Sequence, residues 1–132
     1  MARIKLEVVT PTGKVLDVMT ESVTAPGVLG AFGVLPQHRP GLVMLGGGEL
    51  TYEGGAGRLF IRGGVAEIRP DGVLVLADEA RTVEQIDRPV AEEVLAASLK
   101  GFETHTYLDD EHVQALQNDR AYAEAMLKVG GH

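Results

Sequence analysis

Residues 68–97 read IRPDGVLVLADEARTVEQIDRPVAEEVLAA, and the spacing of their apolar side chains changes at Asp87. Before that residue, Val73, Val75 and Ala77 alternate with their neighbours, which is the period of two typical of a β-strand. After it the residues that recur at helical spacing are Ala91, Val94, Leu95, Ser98 and Phe102. The stretch predicts an α+β chain whose strands occupy residues 1–86 and whose helices occupy residues 87–132.

Turn signals divide the part before this stretch into short runs. They are PTG at 11–13, PG at 26–27, GGG at 46–48, GGAG at 54–57 and PDG at 70–72. Short strands at that spacing indicate an antiparallel β-sandwich or barrel. In the last turn Pro70 sets φ, and we expect Gly72 to adopt a positive φ, so that Ile68 and Val73 lie on strands joined by a tight hairpin.

The part after the stretch predicts an antiparallel hairpin of two helices. Asp87 is suited to cap the first helix, Pro89 lies in its first turn, and the helix of about four turns ends at Gly101 or soon after. The acids of DDEH, residues 109–112, favour the start of a second helix that runs from about Glu111 to Val129.

The second helix carries two apolar stripes. One comprises Val113, Leu116, Ala123 and Leu127, and a weaker one comprises Ala115, Tyr122, Met126 and Val129. Either the hairpin alone cannot bury both stripes, or one stripe packs on the first helix and the other on the sandwich.

Composition excludes several classes of protein. The net charge of −7 and the lack of a basic cluster argue against nucleic-acid binding. No run of eighteen apolar residues is present, so no direct membrane insertion is expected. The first residues resemble no leader, so we expect the chain to work where it is made. Zero cysteines exclude disulfides and thiolate ligands, and residues 87–132 hold 4 Lys/Arg against 9 Asp/Glu.

No catalytic motif is apparent. His38, His105, His112 and His132 are scattered with no metal-ligand spacing, and neither serine lies in G-x-S-x-G. Adjacent acids such as Asp78 and Glu79 point apart on a strand and do not form a shared-proton pair. The chain is therefore interpreted as an interaction module. We expect its contact surface in the glycine–proline segment, residues 30–40 (GAFGVLPQHRP), where Phe32, Val34 and Leu35 supply apolar area.

Three motifs in order resemble the epsilon subunit of rotary ATP synthases. GAFGVLPQHRPGLV is similar to that family's G-x-x-G-[VI]-x-P-G-H-x-P-x-[LV], and FIRGGVAEIRPDGVLVLADEA to its F-x-x-x-G-x-x-x-[VI] followed by V-x-[VI]-L-A-D-x-A. IDRPVAEEVLAA resembles the start of its helical hairpin. The resemblance spans essentially the whole chain.

The resemblance implies a β-sandwich of about ten short strands and a non-catalytic role in the central stalk. Implied partners are the gamma subunit and the c-ring, with transient contact to the alpha and beta subunits, on the cytoplasmic face of a bacterial plasma membrane. The sandwich would help couple proton-driven ring rotation to ATP synthesis, and the hairpin would inhibit ATP hydrolysis. The implied rotor-ring contact residues are Gly30, Ala31, Phe32, Gly33, Pro36, His38 and Pro40.

Two family features are altered in this chain. Where the family often has Gly-Glu-Leu-Gly, this chain has Gly30-Ala31-Phe32-Gly33, so a carboxylate that is common at the ring contact is missing. Some members bind ATP through Ile/Leu-Asp-x-x-Arg-Ala, whose arginine position here holds Val90. We therefore expect no cofactor, although the matching nucleotide-site residues are Ile86, Asp87, Arg88 and Ala91.

Inhibition of hydrolysis is expected to be weak, because the second helix offers few cations to an acidic partner. Its candidate inhibitory contacts are Arg120, Tyr122, Met126, Leu127 and Lys128. Two alternatives remain: an ATP-sensing module whose hairpin folds on nucleotide binding, and a small β-sandwich enzyme or sugar-binding module with His38 in its site.

Overall fold

A computed structural model describes residues 3–36, 38–104 and 109–129. The strands are β1 (Ile4–Thr10), β2 (Gly13–Thr20), β3 (Val23–Gly27), β4 (Gly30–Val34), β5 (Gly41–Leu45), β6 (Gly48–Tyr52), β7 (Gly57–Ile61), β8 (Gly64–Arg69), β9 (Gly72–Ala77) and β10 (Ala80–Thr82). The helices are α1 (Arg88–Thr104) and α2 (Asp110–Val129), and short 3-10 turns lie at Glu53–Gly55 and Val83–Gln85.

The ten strands form one hydrogen-bonded sheet that curls into a β-sandwich close to a barrel, with β10 and β2 at the two ends of its strand path. The order is β10-β7-β6-β3-β5-β8-β9-β1-β2, and β4 pairs with β3 beside this path. The predicted fold class is confirmed. One pair, β1 with β9, is parallel. No tight turn joins these two distant strands, so nothing local requires them to run antiparallel.

Alternating side chains build the core of the sandwich, as the period of two predicts. Ile4, Leu6 and Val8 of β1 are at most 1% exposed, and Val73 and Val75 of β9 are also buried. They pack with buried residues of β3 through β8 in a single cluster. The inward faces of the strands therefore share one apolar core.

The hairpin between β8 and β9 follows the PDG turn. Arg69 pairs with Gly72 and Ile68 with Val73, so Pro70 and Asp71 form a two-residue loop. The expected positive φ at Gly72 is wrong, because this glycine is not among the residues with positive φ. A Cβ on Gly72 would lie 2.8 Å from the carbonyl oxygen of Lys5. The glycine is needed there for the close approach of β1.

The two helices begin and end close to the predicted residues. The backbone N–H of Val90 donates to Asp87 Oδ1 at 3.2 Å, which confirms the predicted cap. The start of α2 is capped in the same way, since the N–H of His112 donates to Asp109 Oδ1 at 2.8 Å. That hydrogen bond, with a second from the His112 ring, lowers the pKa of Asp109.

The helical hairpin lies against the outside of the sandwich through α2, which contacts β6, β7 and α1. A second apolar cluster forms there from Phe60 of β7, Ala91 of α1 and Tyr122 and Met126 of α2. The weaker of the two predicted stripes thus faces the sandwich through Tyr122, Met126 and Val129. Leu127 of the stronger stripe packs against the same cluster, so the second alternative holds only in part. Ala115, which belongs to the weaker stripe, is exposed.

Candidate interaction surfaces

The tip of the β3–β4 hairpin is apolar and open to solvent. Gly27 pairs with Gly30, so Val28 and Leu29 form a two-residue loop. Leu29 is fully exposed at 101%, and Leu35, just after β4, is 63% exposed. Val34 between them is buried in the core. Leu29 therefore lies at the hairpin tip and Leu35 just past the opposite end of β4, with buried Val34 fixing the strand in the core.

The glycine–proline segment starts in β4 and continues into the loop that precedes β5. Gly30, Ala31 and Gly33 are exposed, whereas Phe32 is half-buried and packs against the sandwich core. The His38 N–H donates to the Leu35 carbonyl at 3.2 Å, and its Nδ1 lies 3.1 Å from the carbonyl of Arg39. Pro36 is half-buried and Pro40 is exposed. His38 thus shapes the loop, and no described acid or base contacts its ring.

A shallow groove of about 540 Å³ lies beside this tip, lined by residues of the β3–β4 hairpin, His38, β5 and Ile68. Its lining includes Leu42 and Met44 of β5, which are 74% and 62% exposed. Among the described residues, none that lines the groove carries a carboxylate. The groove is suited to apolar contact rather than to ion pairing.

An apolar row crosses the outer face of the sandwich next to the groove. Met44 pairs with Val65, Val65 with Leu76, and Leu76 with Val9, so the four side chains share one face. Leu76 is 46% exposed and Val9 and Val65 are half-buried. We call Val9, Met44, Val65 and Leu76 the outer row.

The prediction from sequence missed the outer row, although a signal was present. In GVLVLA the residues between the core positions are Leu74 and Leu76, so the strand is apolar on both faces. GLVML of β5 has the same character. A strand that is apolar on both faces is typical of a sheet covered on both sides.

The residues that match the family's nucleotide motif are spread around the start of α1. Asp87 caps the helix, Arg88 forms an ion pair with Glu92 at 3.2 Å, and Ala91 is fully buried. Ile86 packs against the cluster under the hairpin. Asp87 and Arg88 are exposed, Ile86 is half-buried and Ala91 is buried, so the four residues have different surroundings.

The cleft between the two helices has about 430 Å³ of space and an unfavourable charge for a nucleotide. Its lining carries Glu103 and Glu124 against Arg120. Arg120 Nε lies 2.8 Å from Glu124 Oε1, so its charge is already compensated. A triphosphate needs several cationic or N–H donors, which this lining does not supply.

The candidate inhibitory residues of α2 differ in exposure. Arg120 and Lys128 are exposed, Leu127 is half-buried, and Tyr122 and Met126 are each 1% exposed. Their role remains a prediction. Any contact that Tyr122 and Met126 make with another subunit requires α2 to leave the sandwich first.

Within the described ranges, no group of three or more His, Cys, Asp or Glu side chains is arranged to hold a metal ion. His105 and His132 lie outside the described residues. No helix in the described part of the chain combines the length and apolarity needed to cross a membrane.

An ion cluster joins the sandwich to α2, and sequence reasoning did not find it. Arg62, just after β7, contacts Glu79 Oε2 through Nη1 at 2.8 Å and Asp119 Oδ1 of α2 through Nε at 2.7 Å. These residues are far apart in sequence and no local pattern relates them. Asp78 and Glu79 lie in the bend between β9 and β10 and not on a strand, and Glu79 is an ion-pair partner rather than a free surface acid.

Comparisons with known proteins agree with this architecture. Residues 3–83 match the family model of the ATP synthase delta/epsilon chain β-sandwich domain. The ATP synthase epsilon chain of Granulibacter bethesdensis is 37% identical over 135 aligned residues, which cover all of both chains. That of Syntrophobacter fumaroxidans is 49% identical over 87 residues, which cover 64% of this chain and 65% of the relative.

Solved structures share the fold. A chain from Euglena gracilis mitochondrial ATP synthase, OSCP/F1/c-ring, aligns with a TM-score of 0.71 at 24% identity and covers 100% of this chain and 83% of that one. A chain from the Tetrahymena thermophila mitochondrial ATP synthase central stalk/c-ring aligns with a TM-score of 0.59 at 14% identity, with 95% and 94% covered.

Proposed function

This chain belongs to the ATP synthase delta/epsilon family as an epsilon chain, a non-catalytic subunit, and we propose that it links the c-ring to the gamma subunit in the central stalk. The observation that carries the proposal is the continuous apolar surface formed by the hairpin tip, the groove and the outer row. A stiff sandwich with two adjoining contact areas is suited to transmit torque from one partner to the other.

We assign the ring contact to the glycine–proline segment together with the adjoining tip. Leu29 and Leu35 offer the largest exposed apolar area there, and Phe32 braces β4 from inside. Gly30 and Gly33 keep the surface open, since no atom lies within 3.4 Å of a Cβ added to either. In this assignment His38 maintains the loop shape and performs no chemistry.

We assign the gamma contact to the outer row. Met44 and Leu76 are large, exposed and adjacent across β8, and they would bury their area against a partner that lies along the sheet. Contact with a coiled-coil partner on this face leaves the tip free for the ring. The complex would then lie at the cytoplasmic face of a bacterial plasma membrane, with this subunit peripheral to it.

A binding experiment tests the gamma assignment. Leu76→Asp is expected to weaken co-purification with the gamma subunit roughly tenfold or more, because an interface centre tolerates a buried charge poorly. Met19→Asp is the matched control, since Met19 is an exposed strand residue, 52% accessible, outside the outer row. Equal retention of gamma by both variants would contradict the assignment.

A coupling experiment tests the ring assignment. Leu29→Asp should reduce proton-driven ATP synthesis in the assembled complex while the purified subunit keeps its fold, because Leu29 is fully exposed. His38→Ala should lower coupling only modestly. Loss of all activity on His38→Ala, with the complex still assembled, would instead favour a chemical site at this histidine.

We also propose that the hairpin inhibits ATP hydrolysis only weakly. Arg120 is compensated by Glu124, and the strongly acidic residues 87–132 would be repelled by an acidic surface on the beta subunit. Hydrolysis by the purified complex with and without residues 88–132 tests this point. A small change is expected, and a large stimulation on truncation would overturn it.

A further inference from the structure

Three glycines of the sandwich lie where α2 packs against it, next to Asn118. We define the glycine seat as Gly46 and Gly47, which precede β6, and Gly63, which precedes β8. A Cβ on Gly47 would lie 1.9 Å from the carbonyl oxygen of Asn118, and one on Gly63 would lie 2.8 Å from Asn118 Nδ2. At Gly47 only a residue without a side chain lets the backbone of α2 approach so closely, whereas at Gly63 the nearest atom is the end of the Asn118 side chain.

An arginine next to the glycine seat holds the neighbouring residue of α2. Arg62 is fixed from the sandwich side, because its N–H donates to the Glu79 carbonyl at 3.0 Å and its Nη1 contacts the Glu79 carboxylate at 2.8 Å. Its Nε contacts Asp119 at 2.7 Å, and its Cζ lies 5.8 Å from the centre of the Tyr122 ring. The hydrogen bond with Asp119, followed by that with Glu79, raises the pKa of Arg62, so the guanidinium stays charged.

The apolar contact under the hairpin is small and separate from the main core. It centres on Phe60, Ala91, Tyr122 and Met126, none of which belongs to the sandwich core cluster. Release of α2 would therefore uncover this second cluster and leave the main core intact.

We propose that the glycine seat, Arg62 and residues Asn118–Asp119 form a latch that sets how often the hairpin leaves the sandwich, without any nucleotide. The glycines allow the close contact, and the Arg62–Asp119 ion pair stabilises it. The inference concerns the free chain, so it does not depend on the stalk function or on its partners.

The absence of cysteine allows a direct test on the full chain. Met126→Cys places a single thiol at a position 1% exposed, and its labelling by a maleimide reports release of α2. In this background Arg62→Gln is expected to speed labelling roughly tenfold, equivalent to about 1.4 kcal/mol. Arg69→Gln is the matched control, because Arg69 pairs with Glu67 on the same strand, and it should label at the parent rate.

A double-mutant cycle and a change in salt concentration test the Arg62–Asp119 ion pair. Asp119→Asn should speed labelling to a similar extent, and Arg62→Gln should add little in the Asp119→Asn background. Added salt should speed labelling of the parent and have less effect on the Asp119→Asn variant, since the pair is partly exposed to solvent. Additive effects of the two substitutions would overturn the role of the pair.

The seat is tested by Gly47→Ala against Gly41→Ala, since a Cβ on Gly41 meets nothing within 4 Å. Gly47→Ala should give the fastest labelling of the set, while amide exchange in β1 and β9 remains as slow as in the parent. Parent-like labelling in both Arg62→Gln and Gly47→Ala would overturn the latch. Loss of β1 and β9 protection in Arg62→Gln would also overturn it, because the cluster would then support the sandwich itself.

Discussion

Tyr122 is a phenol buried beneath the helical hairpin. Its side chain contacts the Phe60 cluster, and its hydroxyl has no hydrogen-bond partner of good geometry among the described residues. Burial raises the pKa of Tyr122 to about 12, the charge of Glu79 adds to the shift, and Arg81 and Arg62 oppose it. At neutral pH the side chain therefore stabilises docking through its area and not through its hydroxyl.

The raised pKa of Tyr122 predicts a loss of docking at alkaline pH. Because the folded-state pKa lies above the ordinary value of about 10, the stabilisation is complete below about pH 10 and is lost as the pH rises towards 12. Tyrosinate absorbance should show a late-titrating step that Tyr122→Phe removes. The same variant should not lower the free energy of unfolding at pH 7, because it removes a buried hydroxyl that has no hydrogen-bond partner. A late step that persists in Tyr122→Phe would contradict the prediction.

The Asp87 side chain caps the start of helix α1. The Asp87 carboxylate accepts from Val90 N–H, and its carbonyl accepts from Ala91 N–H at 2.9 Å. Asp87→Ala should destabilise the hairpin by about 1 kcal/mol, while Asp87→Asn should retain most of the cap. Amide exchange of α1 measures the effect, and equal exchange in the Ala variant and the parent would contradict it.

Asp87 also distinguishes two interpretations of this helix, a structural one and one in which the hairpin senses nucleotide. Since Asp87 is occupied as a cap and Arg88 is paired with Glu92, calorimetry with Mg-ATP should give no saturable heat. Saturable binding that is abolished in Asp87→Asn would instead support the ATP-sensing alternative.

Neighbouring strands β6 and β7 supply side chains to two different cores. Leu50 lies in the sandwich core, whereas Phe60 lies in the cluster under the hairpin, and both are fully buried. Leu50→Ala should lower the free energy of unfolding of the whole sandwich by about 2–5 kcal/mol. Phe60→Ala should cost about 3–5 kcal/mol, chiefly in hairpin docking. Hydrogen exchange resolved by strand distinguishes these outcomes, and equal loss of protection in β1 for both variants would contradict the separation.

At the scale of the whole molecule, the division into residues 1–86 and 87–132 remains a prediction that the two clusters support. A fragment of residues 1–86 should keep the slow amide exchange of β1 and β9, because the sandwich core contains no residue of α1 or α2. It should also self-associate, because Phe60, Val83 and Ile86 lose their cover. In analytical ultracentrifugation the fragment should sediment as an oligomer, and the same fragment with Phe60→Ser should sediment as a monomer. An unfolded fragment would contradict the independence of the sandwich.

Much of the fold was predictable from local pattern. The alternation in β1 and β9, the two-residue turn at Pro70–Asp71 and the Asp87 cap are all confirmed. The start of α2 at Asp110 differs by one residue from the prediction. Each of these features arises from side chains and backbone within about one turn of helix or one hairpin, so the information lies within a short window.

The candidate surfaces were predictable only in part. The glycine–proline segment is visible in the sequence as a rigid loop. By contrast, the outer row takes one residue from each of four strands, β1, β5, β8 and β9, and the register that aligns them exists only in the assembled sheet. The apolar runs of β5 and β9 indicate that both faces are covered, but not which residues meet.

The sequence by itself determined the change from strands to helices, the turns, the caps and the family, because these depend on neighbours along the chain. Only the tertiary structure decided the parallel pairing of β1 with β9 and the contact of Arg62 with Asp119, which are 57 residues apart. It also decided which helical stripe faces the sandwich. The physical reason is that distant segments pair according to the apolar area that they bury and the charges that they bring together. That free energy is gained only when the whole chain has folded around its core.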